Sequence, residues 1–344
     1  MPHRIPVREG VIQGSAALQW FERYDIINFI ALSRLCRMPA GRRFIRNDSG
    51  PPERKEADSM YRIAYKKDLN EQVTLMKIEA PLIAKKARPG QFIIFRIDEY
   101  GERVPLTIAD TDPEAGTVTI IFQKVGLSTN LLGSMNAGDS ILDFVGPLGA
   151  ATDLDGIKKA AVIGGGVGCA IAYPTAKALY QAGAEVDMIA GFRSEDLVII
   201  REEMEAASSR FFLCTDDGSA GRKGFVTDQL RELLEQGEQY DAVFAIGPVP
   251  MMKFVSLLTK EWGVRTIVSL NPIMIDGTGM CGGCRVTVGG QVKFACVDGP
   301  DFDGHQVDFD ELMKRNGIYR EQEQEENRCL DCRMQRLADE LIRR

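Results

Sequence analysis

The chain has 344 residues, 44% hydrophobic and 26% charged, and a formal net charge of −7. That length allows two or three domains, and the acidic balance argues against a nucleic-acid partner, which calls for a basic face. No apolar run reaches the roughly 18 residues that span a bilayer, and the best N-terminal stretch, 26–32, is short and interrupted by Asn28, so a cytoplasmic protein with neither membrane partner nor secretory signal is expected.

Residues 1–59 read as a poorly ordered N-terminal extension, with one amphipathic helix over 15–35 and a polar run before Met60. From 60 to 150 short alternating segments (71–81, 91–98, 117–125, 139–149) are separated by Gly, Pro, Asp and Asn. Five or six strands without a convincing helix predict a small antiparallel β barrel. The rhythm changes at Lys159. Over 151–270, strands at 159–166, 185–192, 210–216 and 240–246 alternate with helices at 169–184, 194–209, 227–236 and 249–262. This α/β alternation predicts a doubly wound parallel sheet. A cysteine-bearing module follows over 271–315 with two β-like pieces, and 316–344 reads as a charged helical tail carrying Cys329 and Cys332.

Only two histidines occur, His3 and His305, so a Ser-His-Asp hydrolase or a histidine-ligated zinc enzyme has little to work with. In a reducing compartment the eight cysteines serve as metal ligands or free thiols rather than disulfides.

In the stretch AAVIGGGVG, Gly164, Gly165, Gly166 and Gly168 lie directly after a strand and before a helix. Glycine there lets the backbone approach a pyrophosphate, whose charge the helix N-terminus favours. The acid that would bind a ribose 2′-hydroxyl at the end of the second strand is missing. That end reads AGFRS, so Arg193 or Ser194 meets a 2′-phosphate or stacks on adenine, and NAD versus NADP stays open. RVPLTIAD (103–110) and KVGLST (124–129) are by themselves a barrel strand and a loop. Their place ahead of a dinucleotide fold suits a flavin held between the two domains. Asp276, Cys281, Cys284 and Cys296 have the spacing D-x4-C-x2-C-x11-C, which resembles the plant-type [2Fe-2S] pattern with aspartate at the first ligand. The alternative is a zinc site of three cysteines with the aspartate or a water.

From Met60 to about residue 315 the chain resembles the ferredoxin-reductase-like electron-transfer subunits. These include the electron-transfer subunit of dihydroorotate dehydrogenase B and the small subunit of NADH-dependent ferredoxin:NADP oxidoreductase. RVPLTIAD, KVGLST, GPLG, IGGGVG, TDDGSAGRKGFVTD, GPVPMM and LNPIMIDGTGMCGGCR carry the likeness. It implies FAD held by Arg103, Pro105, Leu106, Thr107, Ile121, Phe122, Gln123, Ser128 and Thr129. It implies NAD(P) at the glycine turn with Arg193, Asp217 and Gly247, and a [2Fe-2S] cluster on Asp276, Cys281, Cys284 and Cys296. It further implies a larger flavin and iron–sulfur partner subunit, with ferredoxin beyond it. Aspartate as first ligand points to the ferredoxin:NADP branch, because the dihydroorotate branch has four cysteines. The chain departs from the family's flavin motif at Val104, where arginine is usual, and Arg103 stands one position earlier. The expectation is an NAD(P)H-dependent electron-transfer subunit, electron bifurcating in type. The alternatives are a dihydroorotate dehydrogenase B subunit and a zinc-stabilised nucleotide-binding scaffold.

Overall fold

Hydrophobic alternation builds the first half of the molecule. In strand β2 (Val73–Glu79) Met76 and Ile78 are buried while Lys77 and Glu79 face solvent, as expected of an antiparallel sheet with one wet face. The computed structural model describes residues 60–319, 321 and 322. The expected extension with its helix, Cys36, and the tail with Cys329 and Cys332 lie outside the described residues.

The first sheet contains β1 (Tyr61–Asp68), β2, β3 (Phe92–Arg96), β4 (Val104–Asp112), β5 (Thr117–Gln123), β6 (Ser140–Ile141) and β7 (Asp143–Leu148), in the order β6-β1-β2-β5-β4-β3-β7. Its two edges belong to one piece of chain. Strand β6 pairs with β1 and β7 with β3, while between them Leu142 N donates to Ile97 O at 3.0 Å. That shared segment closes the sheet into a barrel around Ile63, Met76, Phe95, Ile120, Leu132 and Phe144. A single-turn helix α1 (Pro81–Ala84) and a longer helix α2 (Leu127–Ser134) accompany the strands. Helix α2 departs from the helix-free expectation. The Thr129 hydroxyl accepts from the amides of Val125 and Gly126, both at 3.1 Å, which caps the helix start.

The second sheet has the order β11-β10-β9-β8-β12-β13-β16. It contains β8 (Lys159–Gly165), β9 (Glu185–Phe192), β10 (Arg210–Thr215), β11 (Arg222–Lys223), β12 (Ala242–Ile246), β13 (Thr266–Ser269) and β16 (Asp301–Asp303). All pairings are parallel except that of β16 with β13. The run Ala160–Ile163 is fully buried, as a strand covered on both faces requires. The covering helices are α3 (Gly168–Gln181), α4 (Arg201–Ala206), α5 (Val226–Glu235) and α6 (Val249–Glu261). The chain leaves β8 toward β9 and β10, then crosses back to β12 and β13, so strand order reverses beside β8. Ligands bind at such a switch point, beyond the carboxyl ends of the strands.

The helix expected over 194–209 is broken. A 3-10 turn spans Glu195–Leu197, and α4 begins only at Arg201, after Ile200 at φ +41°. The β-branched run Val198–Ile200 resists helix, and the break buries Ile199 and Ile200. Hairpin β14 (Arg285–Val288) and β15 (Gln291–Phe294), then α7 (Ala295–Asp298) and α8 (Phe309–Asn316), form the cysteine module. Among the described residues no helix is long and apolar enough to cross a membrane.

Candidate functional site

Only Gly166 and Val167 separate the end of β8 from the start of α3. Gly166 sits at φ +57°, and its amide donates to Gly191 O at 2.8 Å. A Cβ on Gly168 would lie 2.5 Å from Ile246 O and 2.6 Å from Gly247 Cα, so the start of α3 is pressed onto the β12–α6 turn. A Cβ on Gly164 would meet Cys169 Cα at 2.6 Å; this glycine permits packing behind the turn. The positive end of α3 therefore faces the switch point, where an anionic group is favoured.

A cleft of about 1050 Å³ opens there, walled on one side by the barrel and on the other by the parallel sheet. Of the residues singled out from sequence, Pro105, Leu106, Thr107, Ile121, Phe122, Gln123 and Thr129 line the barrel wall. Gly165, Gly166, Gly168, Arg193 and Gly247 line the opposite wall. Four others stand off it. Gly164 is packed as described. Arg103 points to Asp143 Oδ2 at 4.0 Å, a carboxylate that also accepts from Arg96 Nε at 2.6 Å. The buried Ser128 hydroxyl donates to Glu102 Oε2 at 3.0 Å. Asp217 closes its own turn by accepting from Ser219 N and Oγ at 2.9 and 2.6 Å, which holds its carboxyl below the usual range. Its neighbour Asp216 lines the cleft instead, with its amide donating to Phe192 O at 3.0 Å. Sequence reading missed Asp216, Asn70, Phe225, Phe254 and Asn271, all lining residues. Asn271 belongs to the quoted LNPIM stretch and Asp216 and Phe225 to TDDGSAGRKGFVTD; Asn70 had only its place in a turn, and Phe254, inside α6, had no signal.

The cysteine loop is wound by glycine. Gly277, Gly279 and Gly282 take φ of +76°, +81° and +68°, which only glycine adopts freely. Cys284 Sγ lies 3.2 Å from Cys296 Sγ, and Cys296 N donates to Cys284 Sγ at 3.4 Å. Gly283 N donates to the exposed Cys281 Sγ at 3.5 Å. Burial, then the neighbouring Cys284, pushes the Cys296 thiol up to about 12. Asp276 Oδ1 accepts from Thr278 N at 2.8 Å and Oδ2 from Cys281 N at 3.0 Å. The Thr278 amide, then that of Cys281, holds this carboxyl below the usual range. Among the described residues no three His, Cys, Asp or Glu side chains stand together as a metal-holding group. The donor chemistry nonetheless suits an iron–sulfur cluster: two thiols and a carboxylate on the loop before β14 and a third thiol on α7, with backbone amides directed at the sulfurs.

Residues 271–308 match the iron–sulfur cluster binding domain of dihydroorotate dehydrogenase B. Residues 162–257 match the oxidoreductase NAD-binding domain. The dihydroorotate dehydrogenase B (NAD(+)) electron transfer subunit homolog of Thermotoga maritima is 50% identical over 76% of this chain and 92% of its own length. The chain belongs to the dihydroorotate dehydrogenase B electron-transfer subunit family. The Fusobacterium nucleatum member is 33% identical over 68% of this chain and 92% of its own. An NADH-dependent reduced ferredoxin-NADP oxidoreductase, solved for insight into flavin-based electron bifurcation, aligns with a TM-score of 0.74 and 48% identity. That match covers 77% of this chain and 95% of the solved one. The chain is thus an oxidoreductase-type electron-transfer subunit with a ferredoxin-reductase-like fold. The matched domains and fold imply FAD, a nicotinamide nucleotide and an iron–sulfur cluster, and the family implies a larger catalytic partner. An iron–sulfur family sets aside the zinc-stabilised scaffold.

Proposed function

We propose that this chain is the nicotinamide-reactive small subunit of a complex of the NADH-dependent ferredoxin:NADP oxidoreductase type. It passes electrons between NAD(P)H, FAD and a [2Fe-2S] cluster, to or from a larger flavin and iron–sulfur subunit, with ferredoxin as a further partner. The observation that carries the reading is the cleft lined jointly by Pro105–Thr107 and by the glycine turn Gly165–Gly168. FAD, when bound, supplies the exchange between a hydride and single electrons. The protein's task is placement. Pro105, Leu106, Thr107 and Ile121–Gln123 form a wall for the flavin, with Thr129 at the start of α2 beside its polar tail and Ser128 behind it, bonded to Glu102. The glycine turn and the N-terminus of α3 receive the dinucleotide pyrophosphate, and Arg193, Asp216 and the exposed Phe225 surround its adenosine end. Asp276, Cys281, Cys284 and Cys296 hold the cluster. In this reading 60–150 carries the flavin, 151–270 the nicotinamide and 271–315 the cluster, within a cytoplasmic complex.

Aspartate at position 276, where the dihydroorotate branch is expected to carry a cysteine, favours this branch over the dihydroorotate one. The matched iron–sulfur domain keeps the dihydroorotate branch as the second reading. Anaerobic purification with quantification of flavin, iron and acid-labile sulfide tests the cofactors, and absence of both flavin and iron would sink the proposal. The co-purifying subunit decides the branch: a dihydroorotate-oxidising partner selects the second reading.

A further inference from the structure

Strand β4 carries a bulge just beyond Thr107. Ile108 pairs with Ile120 and Asp110 with Thr119, so Ala109 has no partner across the ladder. A bulge re-aims side chains that strict alternation would send elsewhere. Here Ala109 is buried among core residues of the parallel sheet, and Asp110 is turned onto helix α3. Both carboxylate oxygens of Asp110 accept from Lys177 Nζ, at 2.9 and 2.8 Å. Thr111 N donates to Oδ1 at 2.9 Å and fixes the carboxylate further. Tyr173, one turn earlier on α3, places its ring 5.6 Å from the same ammonium.

The two elements joined by this pair each have one end in the cleft. Gly168 and Ile171 of α3 line it, and Lys177 lies roughly 9 Å beyond Ile171 along the helix at 1.5 Å per residue. Pro105–Thr107 of β4 line the facing wall, and Asp110 lies roughly 10 Å further along the strand. We propose that Asp110 and Lys177 are positioning residues that register the nicotinamide site on the flavin site, by clamping the helix of one to the strand of the other. This inference rests on the assignment of those two sites made above. The pair is part-exposed, 43% for Asp110 and 31% for Lys177, so it contributes little to stability. Registration is different, because a displacement of about 1 Å between reacting groups can slow a reaction on the order of 100-fold.

The test uses the complex with its partner subunit. Asp110→Asn and Lys177→Met are compared with the reversed pair, Asp110→Lys with Lys177→Asp. Three quantities are read: the rate of flavin reduction by NADH in anaerobic stopped flow, the long-wavelength charge-transfer absorbance between flavin and nicotinamide, and protease cleavage of the 149–158 connection in flavin-free protein. Each single variant is expected to keep its FAD, iron and nicotinamide affinity. Flavin reduction should slow about ten-fold or more, the charge-transfer band should weaken, and cleavage of the connection should accelerate. The reversed pair should recover most of the rate. Wild-type rate and band in the single variants overturn the proposal, as does a reversed pair no better than the singles. If a single variant loses flavin, unchanged cleavage of its flavin-free form overturns it too. A wild-type complex without flavin, or one that NADH does not reduce, strikes instead at the site assignment beneath it.

Discussion

Asp276 Oδ2 accepts a hydrogen bond from the backbone N–H of Cys281 at 3.0 Å. With Thr278 N on Oδ1 at 2.8 Å, this aspartate shapes the cysteine loop whether or not it also binds iron. The two roles predict different variants. As a ligand, Asp276→Cys keeps the cluster with a shifted potential, since a softer donor of equal charge takes the position. Asp276→Ala and the neutral Asp276→Asn then give a labile cluster. As a loop-holder alone, Asp276→Asn, which keeps one of the two accepted bonds, retains a cluster with near wild-type spectrum and potential, and Asp276→Cys behaves like Asp276→Ala. Iron and sulfide content, redox titration and electron paramagnetic resonance of the reduced protein distinguish these. A wild-type spectrum and potential in the asparagine variant removes Asp276 from the ligand set.

Gly168 and Gly166 are needed for different reasons, and alanine scanning separates them. At Gly168 the added Cβ meets the backbone of Ile246 and Gly247, which no rotamer relieves. Overpacking of this kind costs about 1–3 kcal/mol, and the displaced helix start should weaken NADH binding at least about ten-fold, the equivalent of ~1.4 kcal/mol. At Gly166 the space is open but φ is +57°, so alanine costs about 1–2 kcal/mol of backbone strain alone. Denaturant titration and calorimetric binding should show the larger binding loss at Gly168; equal losses would mean that the close approach to β12 does not set the turn.

Asp216 and Arg193 stand on adjoining strand ends and both line the cleft, with opposite preferences for a 2′-phosphate. The charge of Asp216 disfavours NADPH by about 1 kcal/mol at ~4 Å in water-like surroundings, roughly a five-fold ratio. Asp216→Asn should therefore raise NADPH affinity relative to NADH, and Arg193→Ala should lower it, with both effects shrinking at high salt. An affinity ratio indifferent to Asp216→Asn places that carboxylate away from the ribose.

Asp301 makes stability depend on pH. Its Oδ2 accepts from Thr152 Oγ at 2.5 Å, while Oδ1 is sealed from solvent without a partner. Burial, only partly countered by Thr152 and Ser269, raises this carboxyl above its ordinary range. The folded protein therefore holds a proton that the unfolded chain releases. Stability from this group is complete below the unfolded pKa of about 3.9, and it is lost as pH rises through the folded value. An amide mimics the protonated acid, so Asp301→Asn should raise the melting temperature near pH 8 and change it little near pH 4. A gain of equal size at both pH values would show that the carboxyl titrates normally.

The local sequence by itself carried the parallel sheet, the glycine turn and the spacing of the cysteine loop. Each depends on residues close together in the chain: a buried run between turns, glycine where a side chain would clash or φ is positive, thiols separated by a tight loop. Hydrophobic alternation likewise announced the barrel strands, because burial of one face follows directly from a period of two. The tertiary structure alone decided how these pieces meet. It closed the barrel by giving both edges to the segment 140–148 and broke the 194–209 helix to bury Ile199 and Ile200. It turned Arg103 to Asp143 and Ser128 to Glu102, and it set Asp216 rather than Asp217 in the cleft wall. The bulge at Ala109 that aims Asp110 at Lys177 belongs here too. In each case the outcome depends on a partner distant in sequence, and packing against that partner overrides what neighbouring residues prefer.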